Sequence, residues 1–590
     1  MKTRILLVLS LFIGLQSCQK KATVTTPNKE LAKVFENYQE EILKLFPFEA
    51  TMAGDDRYNN IFPNTLDDKY IQKVKDFFNK YKEELSKYKD DDLNENDLIS
   101  KQVLEFECNK SLEQLNFRED LMPISQFYST PLAVAQLASG TSAQPFKTVK
   151  DYNNWLERLE GFNIWLQMAV PKLKEGVAKG YVLPKALTVK VLPQMEAMTT
   201  ADPKKHLFYS PINLFPISFT AAEKKELDEK YTKMLAEKLI PSFQALYKYL
   251  STDYLAASRA TSGISAITDG DKYYKTLIKG YTTTDMTADE IHELGLKEVA
   301  RIKIEMEKVK KEVGYTGDLI SFFDYVRSKK ELMPYTDPQQ VIDHFNAIHE
   351  KMKPNLDKLF GKKPKTPFEV KRTEAFREAS ASAEYNQGSL DGTRPGIFYV
   401  PIPDVKKYNV FADEDLFLHE AIPGHHYQIS LQHENKDLPE FRKTTWFNAY
   451  GEGWALYTES LGKELGLYTD PYQYFGMLSA EMHRAIRLVV DTGIHTKGWT
   501  REKAIQYSLD NEAEPEESIV AEIERYMAIP GQALSYKIGQ LKIRELRTRA
   551  EKELGSKFDI KEFHDQVLNA GCLPLSVLES KINRWIERKK

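Results

Sequence analysis

His419 and Glu420, then Ala421-Ile422-Pro423-Gly424, then the pair His425 and His426 stand together in the segment FLHEAIPGHHYQ. Neutral imidazole binds Zn²⁺ well, and a glutamate beside a ligand can take a proton from water that the metal activates. Two imidazoles and a carboxylate are therefore the residue types of a hydrolytic zinc site. The spacing is unusual. In H-E-x-x-H the histidines lie one turn apart on one helix face, whereas here the second imidazole comes six (His425) or seven (His426) positions after His419. On a regular helix the six-residue step points about 120° away from the first histidine. The seven-residue step shares the face but lies about 10 Å along the axis. Pro423-Gly424 offers a repair: proline lacks the N–H that would bond back to the carbonyl of His419, and glycine accepts most backbone angles. A bulge at this pair would swing His425 to where an i+4 histidine normally sits. The expected ligands are His419 and His425, with His426 as the alternative.

A third ligand is expected on another helix. The stretch NAYGEGWALYTESLG carries Glu452 and Glu459, two turns apart. Glu452 lies between Gly451 and Gly453, which would admit a metal or a neighbouring backbone, so it is the better ligand. Glu459 would then hold a ligand imidazole by its other nitrogen. Six of the eleven histidines fall between 419 and 495, a concentration that favours a metal site over a solvated helix.

These groups need a large body to position them. The 590 residues are 42% hydrophobic and 11% aromatic, enough to bury a substantial core. A net charge of −4 and a pI near 6.3 give no electrostatic case for nucleic acid. The sequence holds no P-loop, no G-x-G-x-x-G after a strand and no G-x-S-x-G elbow, so nucleotide and serine-hydrolase chemistry lack their signatures.

The N-terminus reads as a targeting segment. Lys2 and Arg4 precede an apolar run from Ile5 to Leu15, followed by Gln16-Ser17-Cys18. The run is too short to span a bilayer, and its ending resembles the bacterial lipoprotein signal. By that resemblance residues 1–17 are removed, Cys18 carries lipid, and residues 18–30 form a polar tether. The tether is basic, which favours an anchor facing the periplasm. The other cysteines, Cys108 and Cys572, would either pair or stay as buried thiols.

Beyond residue 30 the pattern is helical, with apolar positions at three- and four-residue spacing over 31–46, 67–90, 94–116 and 149–177. Thr287 to Glu290 forms a capping box that opens another helix. The strongest strand candidate is Gly396–Val400, which contains Tyr399. It would serve as an edge strand beside the metal, pairing with a substrate backbone, or as a plain hairpin. Downstream, EMHRAIRLVVDTGIHTKGW supplies Arg484, Arg487 and His495, and ERYMAIPGQALSYKIGQ supplies Tyr536. Amide hydrolysis needs donors where the oxyanion develops, a task for Tyr536 or His495. Arg484 or Arg487 could take a peptide's terminal carboxylate in a bidentate pair.

HEAIPGHHYQ, GEGWALYTE, DTGIHTKGW, RYMAIPGQALSYKIG and RPGIFYVP, in that set, resemble the bacterial domain-of-unknown-function 885 family, over most of residues 31–590. That family is similar to zinc peptidases of the gluzincin kind, including thimet oligopeptidase, angiotensin-converting enzyme and carboxypeptidase Taq. Dipeptidyl-peptidase III is a neighbour whose metal motif also carries an insertion. The resemblance implies a mainly α, two-lobed, metallopeptidase-like fold with a deep cleft and a small β-sheet near the metal. It implies an N-terminal helical lobe over 31–260 and a catalytic region over 261–590. His419, His425 and Glu452 would hold Zn²⁺, Glu420 would be the base, and Tyr536 or His495 would assist the oxyanion. The function expected is a lipid-anchored periplasmic zinc peptidase of short peptides. The rivals are a non-catalytic binding lipoprotein and a two-histidine, one-carboxylate iron site.

Overall fold

The computed structural model describes residues 26–374, 378, 381–389 and 392–590. The leader over 1–17, Cys18 and most of the tether lie outside the described residues. Among the described residues no helix is long and apolar enough to cross a membrane.

Among the described residues helices dominate, with three short strands. Helix α1 (Lys29–Leu45) starts where Asn28 accepts the N–H groups of Glu30 and Leu31, satisfying donors that the first turn leaves without a partner. Its buried stripe of Leu31, Val34, Phe35 and Tyr38 follows the spacing that marks one helix face. Helix α2 (Val149–Lys179) opens with a Thr148–Asp151 capping box and closes at Gly180, whose φ of 79° a side chain would resist. Helix α3 (Ala288–Glu312) opens with the Thr287–Glu290 box.

Two apolar cores form. One draws Trp155, Phe162, Trp165, Phe243 and their neighbours from residues 66–254. The other joins the chain from residue 264 onward with Leu31, Phe35, Tyr38, Val103 and Leu104 of the first helices. One core gives way to the other between residues 254 and 264, while the first helices join the later core. The ring of Phe35 lies 5.3 Å from that of Phe441, and Glu95 pairs with Arg588 at 3.1 Å. An amphipathic stripe announces that a helix face will be buried but not which distant surface buries it.

Strands β1 (Phe368–Arg372), β2 (Glu384–Asn386) and β3 (Gly396–Val400) form one sheet in the order β1-β3-β2. β3 runs parallel to β1 and antiparallel to β2, with Phe398 opposite both Val370 and Tyr385. This corrects the expectation of an edge: Gly396–Val400 is the central strand, and β1 and β2 are the edges. Phe398 and Val400 are buried, so β3 sits in the core with a paired strand on each side.

Helices α4 (Asp413–Glu420), α5 (His425–Glu434), α6 (Asn448–Glu459), α7 (Pro471–Thr496), α8 (Glu516–Ala528) and α9 (Ser535–Leu554) complete the region around the candidate site. α3 lies against α7 so closely that a Cβ on Gly295 would stand 2.7 Å from Leu488 Cβ. α6 lies against α9 through Gly453, whose absent Cβ would stand 2.5 Å from Gly539 Cα. Cys108 and Cys572 are buried and free, and burial pushes each thiol up to about 12.

Candidate metal centre

The HEAIPGHH segment breaks between two helices rather than bulging within one. α4 ends at Glu420, Ala421 leaves helical angles (φ −104°, ψ −107°), and α5 begins at His425. Gly424 sits at φ −74° and ψ −130°, outside the helical and extended regions that residues with a side chain prefer. A Cβ there would stand 1.9 Å from the carbonyl oxygen of His419 and 2.2 Å from that of Leu418. Glycine is needed because the restarted chain packs directly on the end of α4. α6 holds this break in place: Trp454 Nε1 donates to the Pro423 carbonyl at 2.9 Å, and Thr458 Oγ1 donates to that of Leu418 at 2.9 Å.

The break brings two imidazoles together. Glu452 Oε2 lies 3.7 Å from His419 Nε2 and 3.6 Å from His425 Nε2. Donor atoms of the three residues all lie within 4.8 Å of one another, and the two rings are almost perpendicular at 89°. Donors around a tetrahedral ion with bonds near 2.0–2.1 Å stand roughly 3.3 Å apart, so Glu452 stands within a few tenths of an ångström of that spacing from each imidazole, and the trio could close on a small divalent ion by drawing its donors in from within 4.8 Å. His426 faces elsewhere: its Nδ1 lies 3.0 Å from Tyr385 Oη, and its ring packs 4.9 Å from Phe368. Burial pushes its pKa down to about 4, which suits a neutral ring lodged against the sheet.

Charges around the centre reinforce one another. Burial opposes ionisation of Glu452, but hydrogen bonds and charge from His419 and His425 outweigh it and hold its carboxyl well below the usual range. Burial likewise opposes protonation of His419, yet Glu452, Glu459 and Glu420 raise its pKa well above normal. A cation is favoured at this spot, whether proton or metal. Glu459 Oε1 lies 2.6 Å from His419 Nδ1, which turns Nε2 towards Glu452 and His425. Glu420 Oε1 stands 4.0 Å from His419 Nε2, outside the converging trio, on a side chain 13% exposed.

The glycines flanking Glu452 have separate tasks. Gly453 admits the backbone of Gly539, and Gly451 admits the indole of Trp446, whose Cη2 would otherwise stand 2.0 Å from a Cβ. Tyr536, in the first turn of α9, precedes Gly539 by one turn and so lies at the end of α9 nearest this contact. Its ring lies 4.5 Å beneath the guanidinium of Arg487.

Four expected residues are placed differently. His495 is fully buried; its Nδ1 accepts the Ile264 N–H at 2.9 Å and its Nε2 lies 3.1 Å from the Tyr526 carbonyl. Burial pushes its pKa down to about 3. With both nitrogens engaged by backbone, His495 braces the fold and has no donor left for an oxyanion. Arg487 is 5% exposed and donates to Tyr526 Oη at 3.0 Å and Glu522 Oε2 at 2.8 Å, so its charge is already neutralised by a carboxylate of the chain. Tyr399 lies in central β3, opposite Lys371 and Glu384. Arg484 donates to the Ala480 carbonyl of its own helix at 3.5 Å, and its charge bears on buried Asp415.

Sequence reasoning missed Asp415, Tyr468 and Trp446. Tyr468 Oη donates to Asp415 Oδ1 at 3.3 Å and to the Glu459 backbone carbonyl at 2.9 Å, tying down the backbone of the residue that orients His419. A tyrosine nine residues beyond Glu459 carries no local sign of this role. Trp446 precedes the expected ligand helix, and only the adjacent Gly451 hinted that something large packs there.

A family model described as "Bacterial protein of unknown function (DUF885)" matches residues 47–582. Among solved structures, a "putative lipoprotein" of Colwellia psychrerythraea is 29% identical, with 95% of this chain and 99% of that chain covered at a TM-score of 0.85. A "putative lipoprotein of unknown function" of Shewanella oneidensis is 18% identical, with 93% and 99% covered at a TM-score of 0.74, a likeness of fold alone. No curated protein matches the sequence.

Proposed function

The chain belongs to the bacterial DUF885 family, and we propose that it is a zinc-dependent peptidase that hydrolyses short peptides. The observation that carries this reading is the convergence of His419, His425 and Glu452 with a second carboxylate, Glu420, left outside the trio. Two imidazoles and one carboxylate form the protein ligand set of a hydrolytic zinc site that keeps one position open. Zinc held there would polarise the scissile carbonyl and bring the pKa of water near ~7.

The chain's own residues do the rest. Glu420 takes the proton of the attacking water and hands it to the leaving amine, as a general base and then a general acid. Glu459 fixes the tautomer and orientation of His419. Tyr536 donates its hydroxyl to the developing oxyanion. A carboxylate beside a ligand set has no use in a site that only binds, and this separates catalysis from nutrient capture.

The two apolar cores support a two-lobed, metallopeptidase-like body with a cleft that admits unfolded oligopeptides and excludes folded proteins. The apolar run Ile5–Leu15 before Cys18 supports a lipid anchor in the cell envelope, as does the likeness to the Colwellia psychrerythraea protein described as a lipoprotein. Its basic tether favours the periplasmic side.

A peptide-library digest read by mass spectrometry tests the reading, with wild type beside Glu420→Gln. The amide keeps the size of the side chain and removes the base, so cleavage should fall about 10²-fold or more with zinc content unchanged. Equal cleavage by both proteins, or none by the zinc-loaded wild type, ends the proposal.

A further inference from the structure

Trp446 is out of keeping with its neighbours. Trp155, Trp165 and Trp454 are fully buried, whereas Trp446 keeps 38% of its surface in solvent. It is nonetheless firmly held. Its Nε1–H donates to Asn448 Oδ1 at 2.9 Å, and the edge of its six-membered ring fills the space a Cβ of Gly451 would need, with Cη2 and Cζ2 at 2.0 and 2.3 Å from that position. The indole is thereby docked on the first turn of α6, against the residue that precedes Glu452. Its ring centre lies 6.0 Å from that of His425. A rigid, solvent-facing aromatic plane therefore stands against one of the three converging residues, His425, and against the neighbour of a second, Glu452. An indole that served only to brace His425 would gain by being covered. One left open beside a reactive centre offers apolar area that a partner can bury for a time.

We propose that Trp446 is a substrate-recognition residue whose indole forms one wall of the subsite beside the scissile bond and takes an aromatic or bulky apolar side chain of the peptide. This rests on the peptidase reading. Because the plane is fixed by Asn448 and Gly451 before any ligand arrives, little side-chain freedom is lost on binding. An aromatic contact of this kind is worth up to about tenfold in affinity beyond the area it buries.

The test reads binding on the full chain carrying Glu420→Gln, so that peptide is not consumed. Calorimetry compares the pentapeptides Gly-Ala-Phe-Ala-Gly and Gly-Ala-Ala-Ala-Gly. The phenylalanine peptide should bind about tenfold more tightly, Trp446→Ala in that background should erase the difference, and Trp446→Phe should keep most of it, all at unchanged zinc content. The inference is overturned if the parent does not discriminate, if Trp446→Ala leaves the ratio intact, or if Trp446→Ala weakens both peptides equally and loses zinc. Cleavage by wild type is scored separately, so binding through Trp446 without hydrolysis would sink the peptidase reading, and with it the scissile bond, while lost discrimination with cleavage intact would sink this inference alone.

Discussion

His419 Nδ1 and Glu459 Oε1 are 2.6 Å apart, and both side chains are nearly sealed from solvent. The carboxylate therefore governs which imidazole nitrogen faces Glu452 and His425, although it belongs to neither the ligand trio nor the proposed base.

Replacing that carboxylate by an amide should be felt in metal affinity before it is felt in the fold. Glu459→Gln is expected to weaken zinc binding about 10–100-fold, the usual size of such losses. Competition titration against a chelator of known affinity would show this, with far-ultraviolet circular dichroism unchanged. Unaltered affinity would mean that packing alone orients His419.

Gly424→Ala should be far more damaging than its size suggests. A Cβ placed 1.9 Å from a backbone oxygen cannot be absorbed by a side-chain rotation, so α4 and α5 must separate. A loss of about 3 kcal/mol is expected from overpacking, together with loss of zinc. Gly498→Ala is the control: φ is 64° but the space around it is open, so strain alone should cost about 1 kcal/mol and leave zinc in place.

Protons and metal should compete at His419. Its pKa is raised because Glu452 and Glu459 outweigh the effect of burial, and a ligating imidazole must be neutral. Zinc affinity should hold steady above that raised pKa and fall about tenfold per unit of pH below it. Chelator competition at several pH values would give the slope. A flat profile would show that no proton leaves His419 when metal binds.

Asp491 gives a second pH signature, distant from metal chemistry. Its carboxylate accepts from Tyr274 Oη at 2.5 Å and from the Gly531 N–H at 3.1 Å. Complete burial nevertheless pushes its pKa up to about 7, those two bonds opposing the shift. The folded-state value exceeds the unfolded one, so the stability Asp491 contributes is fully present below about pH 4 and is lost as pH rises through 7. Asp491→Asn should then raise Tm by about 3 °C at pH 8, for a removed penalty of roughly 4 kcal/mol. The gain should vanish near pH 4. A gain independent of pH would assign the effect to packing.

Much of this architecture could be read from the chain. Capping boxes at Thr287 and the apolar stripe of Leu31, Val34, Phe35 and Tyr38 carry their own start signals and periodicity, so helix positions were legible. The approach of His419, His425 and Glu452 was legible too, because Pro423-Gly424 had to interrupt the helix between the histidines. What the proline could not tell is that the helix ends outright, or that Trp454 and Thr458 hold the break. The partners of His495 were hidden for a plainer reason: Ile264 lies 231 residues away, and no local pattern records a contact of that range. Gly396–Val400 looked like an edge because strand propensity reports a half-buried surface, not the number of neighbours.

The contact between Gly453 and Gly539 sets a gauge. Where two helices meet through bare α-carbons, the gap between the rod that carries Glu452 and the rod that carries Tyr536 is fixed by hydrogen atoms alone. A single methyl group inserted there would widen the jaws while leaving every reactive atom in the chain, and a variant of that kind would measure how much of the chemistry is distance.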